Sequence, residues 1–248
     1  MSHTPVSVGF LYPGYSAEDD YPEYQRLLGD AVTLRLVHTL MREDAHRVDA
    51  LLDVGGTDVL TPGARELRAQ GVDAVVWACT SGSFVFGWDG AAQQAQAVGE
   101  AAGVPASSTS FAFVHAAHAL GLRRVAIAAT YPRDVAERFV AFLTHGGTEV
   151  VALASRGIAT AAEVGTLDSG AAVDFVVAND HPDADGVLVP DTALHSAGIL
   201  ASVERELGKP VLCANQVSVW EGLRLAGATP RDGRAGLGTL FETGRAAA

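Results

Sequence analysis

Cysteine is scarce in this chain, with two in 248 residues, at positions 79 and 213. That is too few for the disulfide framework of a small secreted protein, and both thiols are expected to stay reduced in the cytoplasm. Basic charge is scarce as well: seventeen Lys and Arg face twenty-nine Asp and Glu, a formal net charge of −12. Such a chain repels a nucleic-acid backbone and an anionic membrane, so neither is expected as a partner, and an anionic substrate has to be held by local donors. No stretch of about eighteen uninterrupted apolar residues is present to span a bilayer. The opening MSHTPVSVGFLYPG also lacks the charged and apolar regions of a secretory signal, which again points to the cytoplasm.

Nucleotide and hydrolase motifs are absent too. Asp53-Val-Gly-Gly and the glycines of GRAGLG do not form GxGxxG, no GxxxxGK precedes a Ser or Thr, and neither Ser16 nor Ser83 stands in GxSxG. NAD, nucleoside triphosphates and serine-hydrolase chemistry are thereby disfavoured. His115 and His118 have helical spacing, but no further ligand cluster accompanies them, so a helix face is expected there rather than a metal site.

What is present is alternation. Short apolar runs at 6–12, 74–78, 125–129, 150–153, 186–189 and 211–214 are separated mostly by amphipathic segments, the pattern of an α/β fold with parallel sheets. The halves also echo each other. DAVVWACTSGSF is answered by DGVLVPDTALHS, which sets Asp73 against Asp185, Cys79 against Asp191 and Thr80 against Thr192. GVPASSTSFAFVHAAHAL is answered by GKPVLCANQVSVWEGLRL, and VGFLYPG by VAIAATYP. Three pairs in one order indicate two similar α/β lobes, assigned as residues 1–115 plus 213–248 and residues 116–212.

Ligands of open α/β sheets bind beyond the carboxyl ends of the strands. Two lobes with those ends facing place Cys79 and Asp191 in one cleft from opposite sides. Each is followed by Thr and then by an expected helix, 83–102 in one lobe and 194–207 in the other. A helix N-terminus attracts carboxylates and favours thiolate over thiol, so a lowered pKa is expected for Cys79. A thiolate facing a carboxyl group can move protons at, or add to, a substrate carbon without a metal or organic cofactor. The plain alternatives are a buried apolar cysteine at 79 and a helix cap at Asp191. Cys213, set against Ser108 in the repeat, reads as core filling.

Cys-Thr at the end of an apolar strand, repeated half a chain later as Asp-Thr, resembles the aspartate/glutamate racemase superfamily, and within it the maleate isomerase and arylmalonate decarboxylase branch. The similarity runs in order through VGFLYPG, ACTSGSF, ATYPRDVAERFVAF, GVLVPDTALHS and GKPVLCANQVSVW. It implies two Rossmann-like lobes related by pseudo-twofold symmetry, an active site between them, no cofactor, a small carboxylate or dicarboxylate substrate, and the homo-oligomers common in that superfamily. By the resemblance Cys79 takes the place of the first catalytic cysteine, which in the isomerases adds to the substrate double bond. Asp191 takes the place of the second, a departure. The decarboxylases keep only the second cysteine, whereas this chain keeps only the first. Thr80, Ser81 and Tyr131 match positions that bind a substrate carboxylate, Pro13 matches the loop after the first strand, and Thr192 adds a hydroxyl. His195, four residues beyond Asp191, and Asn215 are further candidates for contacts in the site. Where maleate isomerases usually carry asparagine, this chain has Ser16 or its neighbours and Ala161.

The leading expectation is a cofactor-independent isomerase acting next to a carboxylate, with Cys79 as nucleophile or base and Asp191 as the opposing acid or base. Decarboxylation of a substituted malonate on the same scaffold comes second and racemisation of an amino-acid derivative third. A carboxylate-binding protein that has lost its catalytic pair is the reading from another class.

Overall fold

The computed structural model describes residues 5–228 and 236–243. Parts of the lobe assignment, together with the first residues of GRAGLG, fall at 1–4, 229–235 and 244–248, outside the described residues. In chain order the elements are β1 (Val6–Pro13), α1 (Asp20–Leu28), β2 (Val32–Thr39), α2 (Val48–Val54), α3 (Thr57–Ala69), β3 (Ala74–Trp77), α4 (Ser81–Phe84), α5 (Gly87–Ala102), β4 (Ala106–Ser108) and α6 (Thr109–Leu120). The second half continues with β5 (Arg124–Ala129), α7 (Arg133–His145), β6 (Glu149–Ser155), α8 (Ala161–Gly165), α9 (Ser169–Ala178), β7 (Gly186–Val189), α10 (Leu200–Leu207), β8 (Val211–Cys213), α11 (Ala214–Leu225) and α12 (Thr239–Thr243).

The strands form two four-stranded parallel sheets of the same order, β2-β1-β3-β4 and β6-β5-β7-β8. The inner strands β3 and β7 are buried at every residue, which is why they read as unbroken apolar runs. The edge strands β2 and β6 are only partly covered. Their mixed composition hides β2, which the apolar runs do not reveal, and β4 is too short to stand out. The echo between halves has a structural cause at Asp73 and Asp185. Asp73 accepts from the Ser7 amide at 2.8 Å, and Asp185 accepts from the amides of Arg123 and Arg124 at 2.9 and 2.8 Å, so each clamps the start of its lobe's first strand.

Two helices differ from the sequence expectation. The segment 83–102 is divided into α4 and α5 at Val85 and Phe86, and Gly87 takes a φ of 70°, a left-handed value that glycine adopts without strain. The helix expected over 194–207 begins only at Leu200. The amides of Ser196 and Ala197 are taken instead by the carboxylate of Asp20 on α1, at 2.9 Å and 3.3 Å. The Ser196 hydroxyl and Asn215 Nδ2 complete the coordination at 2.9 and 3.0 Å. A tertiary acceptor has displaced the helical one.

The lobes share a core. Phe84 of α4 packs on Tyr131 and on Phe139 of α7, with ring centroids 5.9 and 5.4 Å apart, and Phe113 of α6 meets Phe139 at 5.3 Å. This aromatic contact and the Asp20 bonds hold the two sheets at one fixed separation. Replacing Asp20 with Ala leaves four buried donors without an acceptor and is expected to lower the unfolding free energy by about 3 kcal/mol, read from the shift in urea midpoint. A midpoint unchanged from the parent protein would show that Asp20 does not carry the join.

Candidate active site

Cys79 stands two residues beyond β3, where the ladder has just ended with the Ala78 amide bonded to Leu11 O at 2.8 Å. The chain then turns sharply enough that the Gly82 amide donates to Cys79 Sγ at 3.3 Å, and the Ser81 hydroxyl lies 3.9 Å from the same sulfur. The absence of a side chain at Gly82 leaves room for this turn: a Cβ there would lie 3.0 Å from Cys79 Sγ and 3.2 Å from the Trp77 ring, close enough that the sulfur would have to shift. The thiol is 6% exposed. Burial pushes its pKa up to about 11, the Gly82 and Ser81 bonds pull the other way, and the charge of Asp191 pushes it further up. The expected lowering by a helix N-terminus is therefore reversed. The only helix beginning at Cys79 is the single turn α4, and its field does not offset the loss of water.

Asp191 follows β7 and is buried, 4% exposed. Its Oδ2 accepts from the Thr130 hydroxyl and its Oδ1 from the Ala193 amide at 2.9 Å. The second bond closes a turn two residues on. It is not the cap of a helix, because none begins before Leu200. Both carboxylate oxygens are thus fixed by donors from the second lobe, and the loop carrying them is tied to the first lobe by Tyr12, whose hydroxyl donates to Thr192 O at 2.9 Å.

Cys79 and Asp191 line the same cleft, together with Pro13, Ser16, Ser81, Ala161 and Thr192. The cleft is narrow, about 40 Å³, room for roughly three water molecules. Thr80 and Tyr131 stand just behind it. The Thr80 hydroxyl oxygen is buried with no hydrogen-bond partner among the described residues, and the Tyr131 hydroxyl donates to Pro190 O. Burial raises the Tyr131 pKa well above the ordinary phenol value.

Two candidates lie elsewhere. His195 turns out of the cleft to Asp19, 2.8 Å away, because the helix that was to aim it at Asp191 does not form. Asn215 is buried behind the loop, donating to Asp20 Oδ2 and to Thr192 O at 3.0 and 3.1 Å, and so positions Thr192 rather than lining the cleft. His115 is bonded to Glu221 Oε1 at 2.9 Å, joining α6 to α11, and among the described residues no group of His, Cys, Asp and Glu is arranged to hold a metal ion. Cys213 is buried at the end of β8, as core filling requires.

One wall was missed from the sequence. Met41, Glu43, Asp44, Ala45 and His46, with Leu51 and Val54 of α2, close the side of the cleft across which the lobes meet. Asp44 accepts from the amides of Ala161 and Ala162 at 2.7 and 2.9 Å, and the His46 amide donates to Ala159 O at 2.7 Å. The MREDAH loop has no apolar period and no known motif, so only the contact across lobes reveals it.

A thiol with this environment reacts in proportion to its small thiolate fraction. In Cys213→Ser protein, alkylation of Cys79 by iodoacetamide is expected to be slow at neutral pH and to climb about tenfold per pH unit towards 11. A rate already level at pH 8 would contradict the raised pKa.

The comparisons with known proteins agree with this geometry. The family model for arylmalonate decarboxylase matches residues 51–241. Arylmalonate decarboxylase of Bordetella bronchiseptica is 36% identical over 181 residues, covering 72% of this chain and 75% of that protein. A maleate isomerase of Geobacillus stearothermophilus is 27% identical over 121 residues, 48% of either chain. A liganded double mutant of arylmalonate decarboxylase, one glycine changed to cysteine and one cysteine to serine, superposes with a TM-score of 0.83 at 30% identity, covering 96% of this chain and 99% of its own. With its two matched lobes and the cleft between their strand ends, the chain belongs to the arylmalonate decarboxylase family.

Proposed function

We propose that the protein is a cofactor-independent decarboxylase of substituted malonates in which Cys79 is the proton donor. The observation that carries this reading is the buried thiol, held protonated by a pKa of about 11, in the cleft that Asp191 also lines. The sequence placed isomerisation first because a thiolate was expected. A thiol that keeps its proton is better suited to giving it up to a carbanion.

One substrate carboxylate rests on the hydroxyls of Ser81 and Thr192, with the unpartnered Thr80 hydroxyl available behind them. The other faces Asp191 and the apolar side chains of Met41, Leu51 and Val54, with no Lys or Arg among the described residues of the cleft wall to neutralise it. Stripped of water and facing a like charge, that carboxylate is raised in energy, and the strain is relieved as neutral CO₂ departs. The carbon–carbon bond breaks, its electron pair passes into the retained carboxylate as an enediolate, and Cys79 S–H delivers its proton to the α-carbon. The thiolate, stabilised meanwhile by the Gly82 amide, recovers a proton from water, so one proton is consumed for each CO₂ released.

The same Gly82 and Ser81 donors favour a second reading, a maleate-type cis–trans isomerase. A carboxylate of the bound substrate takes the Cys79 proton, and the Gly82 and Ser81 donors then hold a thiolate that adds to the double bond and leaves after rotation, with Asp191 exchanging a proton at the substrate carbon. The maleate isomerase relative supports it over 48% of the chain. The substrate in either reading is a small carboxylate. Among the described residues no helix is long and apolar enough to cross a membrane, and we place the enzyme in the cytoplasm, with self-association a matter for measurement.

Proton NMR in D₂O with phenylmalonate, methylmalonate, maleate and an N-acyl amino acid separates the reactions. The expected product is α-deuterated monoacid from a malonate; fumarate would shift the assignment to the isomerase, and α-exchange alone to a racemase. Cys79→Ser is expected to lose roughly 10²- to 10⁴-fold in kcat. Because the protonated thiol is the active form, the Cys79 limb of the kcat profile should fall only as pH rises towards about 11, the opposite of what a thiolate nucleophile would show.

A further inference from the structure

Among the described residues the cleft has one nitrogen-bearing side chain on its wall, His46, and the decarboxylation step leaves it without a task. The residue is 7% exposed. Its ring is held on one side by Nδ1, 2.9 Å from Ile158 O, and by its edge-on contact with Tyr131, centroids 5.0 Å apart at 86°. A carbonyl oxygen only accepts, so Nδ1 carries the hydrogen. Nε2 then has no partner among the described residues, and the side chain borders the cleft. A neutral ring offers a lone pair there, and a protonated ring offers a charged donor.

The groups around the ring decide which is useful. Tyr131 and Tyr12 are neutral phenols, and Cys79 is a neutral thiol at ordinary pH. Asp191 is bonded to Thr130 and Ala193, Asp44 to the amides of Ala161 and Ala162, and Glu43 to Arg47 at 2.9 Å. Every nearby carboxylate already has donors, so an imidazolium at this point lacks a dedicated partner within the protein. We propose that His46 is a catalytic residue of this site: protonated at Nε2 as the substrate enters, it donates to the retained carboxylate and stabilises the second negative charge that the enediolate acquires when CO₂ leaves. A donor aimed where charge develops accelerates the step, whereas one aimed at the departing carboxylate would oppose it. The proposal therefore assigns the retained carboxylate to the part of the cleft where the His46 ring meets Tyr131. The proposal rests on the decarboxylase reading for its chemistry, though not for the binding contact itself.

Two measurements test it. In the unaltered protein, the imidazole resonances are followed by NMR against pH with and without phenylacetate, which has one carboxylate and no CO₂ to lose; His46 is assigned by its absence in His46→Gln. The expected result is that phenylacetate moves the His46 ring resonances, while those of the other seven of the eight histidines stay put. In kinetics, His46→Gln, which keeps a neutral donor of similar length, is expected to lose on the order of 10²-fold in kcat/KM at pH 6. It should also lose the decline with rising pH that deprotonation of His46 produces. A shifted His46 in a protein that turns over no malonate would leave the carboxylate contact standing and remove the decarboxylase reading. Turnover of a malonate with an unshifted His46 and an unchanged pH profile in His46→Gln would overturn the role given to His46.

Discussion

The carboxylate of Asp20 holds the two halves of the site together. It leaves α1 in the first lobe and ends on Ser196, Ala197 and Asn215, taking four donors and no cation. Desolvating such a group is costly, and burial raises its pKa accordingly. The cost is offset because the loop after β7 offers its amides just where it abandons the helix. With Tyr12 bonded to Thr192 O, the loop carrying Asp191 is positioned by the opposite lobe. The distance across the cleft is therefore a property of the interface and not of either sheet.

That arrangement explains why the cleft has little positive charge and still suits an anion. Among the described residues it is lined by the hydroxyls of Ser81 and Thr192 and the imidazole of His46, together with Asp191 and the apolar side chains of Met41, Leu51 and Val54. A wall of arginines would bind a dicarboxylate more tightly and hold both its charges equally well. A cleft that favours one carboxylate and disfavours the other spends its interactions on the step in which the two become different.

Much of the fold could be seen in the residues. The inner strands are buried on both faces, so their apolar runs are unbroken, and the echo of Asp73 by Asp185 marks two clamps that serve the same purpose at the same point of each lobe. Edge strand β2 was invisible for the converse reason, since it is only partly covered and Arg35 and His38 interrupt it. In the site, Cys79, Ser81, Pro13, Asp191 and Thr192 were legible because each lies at a strand end that the repeat and the family resemblance both mark. His46, Asp44 and Met41 carry no such mark, and His195 was misplaced because helical periodicity at 194–207 says nothing about an acceptor arriving from α1.

The chain by itself determined the α/β alternation, the doubling of the lobe and the presence of a thiol and a carboxylate at equivalent strand ends. These follow from local patterns, in which burial on two faces, turn glycines and Tyr-Pro strand endings leave their trace within a few residues. Tertiary structure alone decided the state of the thiol and the identity of the facing wall. A cysteine before a helical turn is acidic in water and weakly acidic when buried 6% exposed beside an aspartate, and the balance depends on how closely the second lobe approaches. No local stretch of sequence encodes that distance, because the groups that set it, Asp20, Asn215 and the 41–46 wall, are far apart in the chain and meet only when the two lobes close on each other.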